Sequence, residues 1–259
     1  MSWIDEARNV IDRIEETQGD AIEMAATISA ETIGSGGVVH TFGTGHSRIP
    51  VEEMFPRYGS YPGWHPIVEQ SMTFHTEITG SNGQRQAMFI ERVPGLAEVI
   101  LSNFELRPTD AILMFSATGR NAVPVETAII AKCAGLKVIA VTSITEARAV
   151  PPTHSSGTVL ADHADVVIDI CTPLGDAAVE IPGWANKVGP VSSIANITIV
   201  NMLKVRTAEK LAERGIELPV LTGPQIAGEE RSRELFENAY LEHSRRKASV
   251  LRVTPRDAW

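Results

Sequence analysis

Over residues 2–29, apolar or small side chains fall at Ile4, Ala7, Ile11, Ile14, Ala21, Ala25 and Ile28, in alternating steps of three and four with one polar exception at Gln18. The spacing predicts one long amphipathic helix. Ser2 caps it, Asp5 and Glu6 lie where the helix dipole favours negative charge, and Gly19 is its weak point. The seam is nearly a heptad, which suits packing along a partner subunit or over this chain's own sheet. Gly34-Ser35-Gly36-Gly37 ends the helix, and residues 38–42 form a short β-rich run that feeds Gly43-Thr44-Gly45-His46-Ser47. The pattern recurs at 111–115, a five-residue apolar run followed by Ser116-Ala117-Thr118-Gly119-Arg120-Asn121. Helical spacing resumes over 123–134, Gly135 stops it, and 137–142 and 164–170 read as further strands. Residues 192–214 and 229–247 read as C-terminal helices, and the arginine-rich stretch 245–256 as a solvated helix end.

Strands that are apolar on both faces and alternate with helices belong to a parallel sheet covered on both sides. The fold class is therefore α/β, a three-layer α/β/α sandwich. No internal repeat, low-complexity linker or helix-turn-helix module interrupts it. The expected organisation is a single domain over 1–259, with a core at 34–215, an N-terminal helix at 2–33 and a helical extension at 216–259.

Composition narrows the function. The 259 residues are 43% hydrophobic and 21% charged, enough to bury a sizeable core, and the formal charge of −9 repels nucleic acid and anionic membrane surfaces. Cys133 and Cys171 are far apart in apolar surroundings, so no disulfide framework or CxxC knuckle is available. With no export signal and no long apolar run, a cytoplasmic location is expected, and the triplet Asn196-Ile197-Thr198 is a chance glycosylation match.

The candidate chemistry lies in the two glycine loops. Ligands of open parallel sheets bind beyond the carboxyl ends of the strands, where both loops fall. Glycine turns backbone amides toward a ligand, Ser and Thr hydroxyls add donors, and a helix start favours an anion. There is no GxxxxGK[ST], Arg48 stands where GxGxxG needs its third glycine, and Gly-x-Ser-x-Gly is absent.

Gly43-Thr44-Gly45-His46-Ser47, Ser116-Ala117-Thr118-Gly119-Arg120-Asn121, a strand ending Val141-Thr142 and Val188-Gly189-Pro190-Val191-Ser192-Ser193 together resemble the sugar isomerase (SIS) family over roughly residues 2–215. The resemblance implies a five-stranded parallel sheet, a homodimer or homotetramer, and a small anionic sugar, a sugar phosphate, as ligand. It places Ser47, Ser116, Thr118 and Asn121 on the phosphate, with the amides around Gly45 and Gly119 assisting and Ser192 nearby. Thr118 keeps the hydroxyl where the family often has Ser, whereas Asn121 replaces one, and Arg120 adds a cation that also suits a sulfonate or carboxylate.

The implied reaction is aldose–ketose isomerisation through an enediol, with no redox cofactor. It needs a base that removes a proton α to a carbonyl. Glu91 lies in a segment similar to the one that carries a carboxylate in the etherase relatives; a helix-start acid beside Arg92 is the competing role. Glu126, in the helix after the second loop, is a further candidate or a surface charge. Of the histidines at 40, 46, 65 and 75, His46 and His75 are the candidates for ring opening or proton transfer, or else are satisfied structural residues. Some relatives use zinc, yet no HExxH or close His/Cys spacing marks a metal site. A phosphosugar lyase or etherase, and a non-catalytic sugar-phosphate sensor, remain the alternative readings.

Overall fold

The computed structural model describes residues 2–73 and 84–252. In chain order its elements are α1 (Trp3–Thr17), α2 (Gly19–Gly34), β1 (Val39–Gly43), α3 (Ile49–Met54), β2 (Trp64–Ile67), α4 (Gln84–Ile90), α5 (Leu96–Leu101), β3 (Ala111–Phe115), α6 (Ala122–Cys133), β4 (Lys137–Thr142), α7 (Ile144–Ala149), β5 (Val166–Asp169), α8 (Ser192–Glu213), α9 (Pro224–Ala227) and α10 (Glu229–Ala248). The five strands among the described residues form one parallel sheet in the order β2-β1-β3-β4-β5. From β1 the chain steps outward to β2 and then returns across β1 to β3. The winding therefore reverses between β1 and β3, and their carboxyl ends open a crevice.

Alternate residues of the central strands feed two separate cores. Ala111, Leu113 and Phe115 pack on the side covered by α1, α2 and α8, while Ile112 and Met114 pack on the side covered by α5 and α6. This is why the strands read as unbroken apolar runs: neither face meets water.

Four expectations change. The helix over 2–29 is two helices, α1 ending at Gln18 (φ −107°, ψ 5°) and α2 continuing to Gly34. Gly19 weakens the junction, and the Gln18 side chain leaves the helix surface to accept the Asp169 amide of β5 at 2.9 Å. The Ser2–Asp5 capping box forms at the start, and Ala7, Val10 and Ile14 are buried against this chain's own core.

The edge strand β2 escapes the apolar-run criterion, because Trp64-His65-Pro66-Ile67 contains a proline that only an edge tolerates. Cys133 is exposed and Cys171 half-buried, so apolar surroundings describe neither fully.

The C-terminal arginine run is not wholly solvated. Arg246 is 8% exposed and its Nη1 donates to the carbonyls of Ile33 (2.9 Å) and Gly37 (2.7 Å), fastening α10 beside the amino end of β1.

At that same amino end a buried polar group holds the sheet. His40 and His65 are paired in register with Nδ1 atoms 3.0 Å apart. Asp110 accepts from the Val38 amide and, through both oxygens, from Arg107. Burial and the neighbouring His40 push the His65 imidazole down to about 3, so it stays neutral at ordinary pH. Asp110 feels burial pushing it up, but the nearby His40 imidazole, 3.8 Å away, and hydrogen bonds from Arg107 and the Val38 amide hold it at about 2.

Candidate functional site

The crevice between β1 and β3 opens into a cavity of about 360 Å³. Both glycine loops reach it, since Gly43 and Phe115 are register partners at the ends of adjacent strands. After β1 the chain makes a tight turn, Gly45–Arg48, before α3. Gly43 has to be glycine, because a Cβ there would overlap the Ser47 carbonyl. Gly45 takes φ 55°, and the turn brings Thr44, Gly45, His46 and Ser47 to the cavity wall.

After β3, the loop contributes Ser116, Ala117, Thr118 and Asn121. Ser116 is buried, its Oγ accepts the Gly119 amide at 3.2 Å, and its hydroxyl hydrogen stays available to a ligand. Gly119 sits at φ 61° against Leu160 and Thr142; it does not line the cavity, and its amide is already committed to Ser116. Arg120 also lies outside the lining, with its carbonyl accepting the Thr153 amide and hydroxyl.

Asn121 occupies the N-cap of α6 without capping it. Its Nδ2 instead donates to Glu91 Oε1 at 3.1 Å, and its Oδ1 accepts the Thr153 hydroxyl at 3.2 Å. Glu91 follows α4 and lines the cavity with its neighbour Arg92. Burial pushes the Glu91 carboxyl above its ordinary value, against hydrogen bonds from Asn121 and Thr44 and the charge of Arg92. An acid poised in this way, fixed by an amide donor and open to a polar cavity, has the properties of a general base.

His46 shares this cavity, whereas His75 lies outside the described residues. His40 and His65 belong to the buried group at the opposite end of the sheet. Glu126 does not line the cavity: Oε2 accepts the Gly95 amide at 2.8 Å and Oε1 lies 3.4 Å from His154 Nε2, which makes it a strut between α6 and two loops. Among the described residues no three His, Cys, Asp or Glu side chains converge on a common metal position.

The remaining wall comes from the start of α8, with Ser192, Ser193 and Asn196, and from Asp176 in the connection after β5. Asp176 was not singled out from the sequence. It sits at φ 48° and its Oδ1 accepts the amides of Val191 (3.0 Å) and Ser192 (2.8 Å), while Oδ2 accepts the Ser192 hydroxyl at 2.5 Å. It thereby caps α8 from outside the helix. The only local signal was the Gly175-Asp176 turn pair ahead of the 188–193 segment.

The model of the SIS domain matches residues 2–143, more than half of the chain. The chain belongs to the SIS-domain family. Similar sequences include UPF0309 proteins of Streptomyces coelicolor, 33% identical over 226 residues covering 87% of this chain and 88% of that one, and of Caldanaerobacter subterraneus, 35% identical over 239 residues covering 91% and 95%. Similar solved structures include phosphoheptose isomerases of Neisseria gonorrhoeae and Francisella tularensis, each with TM-score 0.52 over 80% of this chain and 95% of the other, at 13% and 15% identity. The likeness at that identity is one of fold: a parallel five-stranded sheet between helical layers. The SIS match spans both glycine loops and Glu91, while Asp176, Ser192 and Asn196 enter the cavity from beyond it. No helix among the described residues is long and apolar enough to cross a membrane.

Proposed function

We propose that this SIS chain binds a sugar bearing one anionic head, a phosphate, and interconverts its aldose and ketose forms through an enediol. The observation that carries the reading is the shared cavity: hydroxyl-bearing turns from β1 and β3 and a partly buried carboxyl, Glu91, line the same space. Gly45, Ser47, Ser116 and Thr118 hold the anionic head. Glu91, ionised, takes the proton from C2 of the open-chain aldose and the C–H electron pair forms the enediolate; a proton passes from O2 to O1, and the same acid returns the carbon proton to C1, leaving the carbonyl at C2. Burial supports this role because it raises the proton affinity of the carboxylate toward the working pH. Asn121 keeps the acid oriented rather than holding phosphate, and His46 handles the proton at ring opening. Ser192 supports the wall through Asp176, since its hydroxyl is already donated.

The test begins with a thermal-shift screen of sugar phosphates, followed by proton NMR of the binders in deuterated water. The expected result is deuterium at C1 of the ketose and at C2 of the aldose recovered from it with native protein, and none with Glu91→Gln, which still binds. A sugar phosphate that binds stoichiometrically and exchanges nothing refutes catalysis and favours a sensor. Release of a second molecule after exchange refutes isomerisation and favours elimination, which starts from the same proton abstraction.

A further inference from the structure

The two ends of the cavity differ in what they leave for a ligand. On the β1 and β3 side, the hydroxyls of Ser47 and Thr118 have no protein partner among the described residues, and Ser116 retains its hydrogen. At the α8 end most donors are consumed internally: the Ser192 amide and hydroxyl and the Val191 amide go to Asp176, and Asn196 Nδ2 goes to the Ser192 carbonyl at 2.8 Å. Ser193 adds a hydroxyl that serves either way. What this end presents is mainly acceptors. Asn196 is 6% exposed and its Oδ1 is the one side-chain atom among the described lining residues that is buried without a partner. The Asp176 carboxylate is met by amides and a hydroxyl rather than by a lysine or arginine.

Resting on the reading of the cavity as a sugar-phosphate site, we propose that Asp176 is a specificity-determining residue: it reserves the α8 end for the uncharged, hydroxyl-bearing end of the ligand and rejects a second anion. The charge that caps α8 also cancels the attraction that its helix start would otherwise offer a phosphate. A sugar hydroxyl donates to these acceptors, whereas a phosphate or carboxylate brings acceptors against acceptors and like charge against like. Discrimination therefore comes from an element that repels the wrong ligand as well as from donors that hold the right one.

Asp176→Asn is the direct test. Asparagine tolerates the left-handed backbone at this position and still accepts the two amides, so the cap survives the loss of charge. Affinities for the sugar monophosphate chosen by the screen above, and for its bisphosphate, are measured by calorimetry on each protein, with circular dichroism to check the fold. The expected result is a native preference for the monophosphate of at least about tenfold that shrinks by about tenfold in Asp176→Asn. An unchanged ratio in the folded variant overturns the role of Asp176, as does a native protein that binds both ligands equally; either leaves the sugar-phosphate reading standing. If native protein binds no sugar phosphate at all, that reading falls and this one with it. If the variant does not fold, the native preference is measured at low and high salt: a preference that fades with salt supports rejection by charge, and one that does not fade overturns it.

Discussion

Replacing Arg246 by Met asks whether a single side chain fastens α10 to the amino end of β1. Methionine keeps an apolar stem of similar length and removes the guanidinium, so three bonds go: two to the carbonyls of Ile33 and Gly37, and one from Nε to Glu242 at 2.8 Å. The Ile33 carbonyl keeps the Gly36 amide at 3.1 Å and loses less, while the buried Gly37 carbonyl loses a charged donor. Hydrogen bonds to charged groups contribute about 1.5–3 kcal/mol, which assigns about 2 kcal/mol to Gly37 and about 1 kcal/mol to Ile33. The pair with Glu242 is partly exposed and adds little. A total of about 3 kcal/mol corresponds to a fall in Tm of about 6–12 °C for a chain of this size. The control is the adjacent Arg245→Met: that side chain is 68% exposed and 4.0 Å from Glu242, so its removal changes stability by less than about 0.5 kcal/mol. Differential scanning calorimetry on both variants reads the contrast, and equal melting points for the two would refute the anchoring role.

The other predictions concern the cavity and the buried histidine pair. Ser116→Ala removes a cavity hydroxyl proposed to hold the ligand in ground and transition states alike, so steady-state kinetics should show KM raised more than kcat is lowered; a pure kcat effect would contradict this. With Glu91 as the proposed base, kcat is expected to fall as pH drops through its raised pKa, and an acid limb centred at or below the ordinary 4.5 would deny the effect of burial. The His65 imidazole is held at about 3 in the folded chain against 6.5 when free, so the unfolded chain takes up a proton that the folded chain refuses in that window. Its contribution to stability is complete above pH 6.5 and is lost on acidification at about 1.4 kcal/mol per unit, about 2 kcal/mol by pH 5. Urea unfolding of native protein and His65→Gln at both pH values measures this, and parallel losses in the two proteins would assign the effect elsewhere.

The parts of the fold legible in the sequence are those whose side chains all face protein. Residues 111–115 and 138–142 lie between two helical layers, and such strands have no water-facing positions to dilute the signal; only Lys137, at the start of β4, is exposed. β2 pairs with a strand on one side only, and its four residues spend one position on Pro66; membership in the sheet comes from pairing with β1, which periodicity does not encode. The break at Gln18 was invisible for a different reason. The apolar phase runs on through it, and what ends α1 is a contact with Asp169 far along the chain. Arg246 was misread because a run of cations looks solvated by composition, whereas one member of the run points at carbonyls that α2 and β1 leave over.

The site divides along a similar line. That Gly45, Ser47, Ser116 and Thr118 belong together follows from chain order plus one rule of parallel sheets, because β1 and β3 are neighbours wherever β2 winds outward first. Which of the loop donors remain for a ligand does not follow. Gly119 and Ser192 have the right chemistry on paper, yet the fold has already given the amide of one to Ser116 and the hydroxyl of the other to Asp176. Asn121 lines the cavity and also donates to Glu91, a pairing that sequence does not announce, while the N-cap bond it is suited to make is not made. Donor capacity belongs to a residue type, but availability belongs to its neighbours. Asp176 is the extreme case: the Gly175-Asp176 pair signals a turn rather than a site, and its place in the cavity depends on how the connection from β5 meets the start of α8.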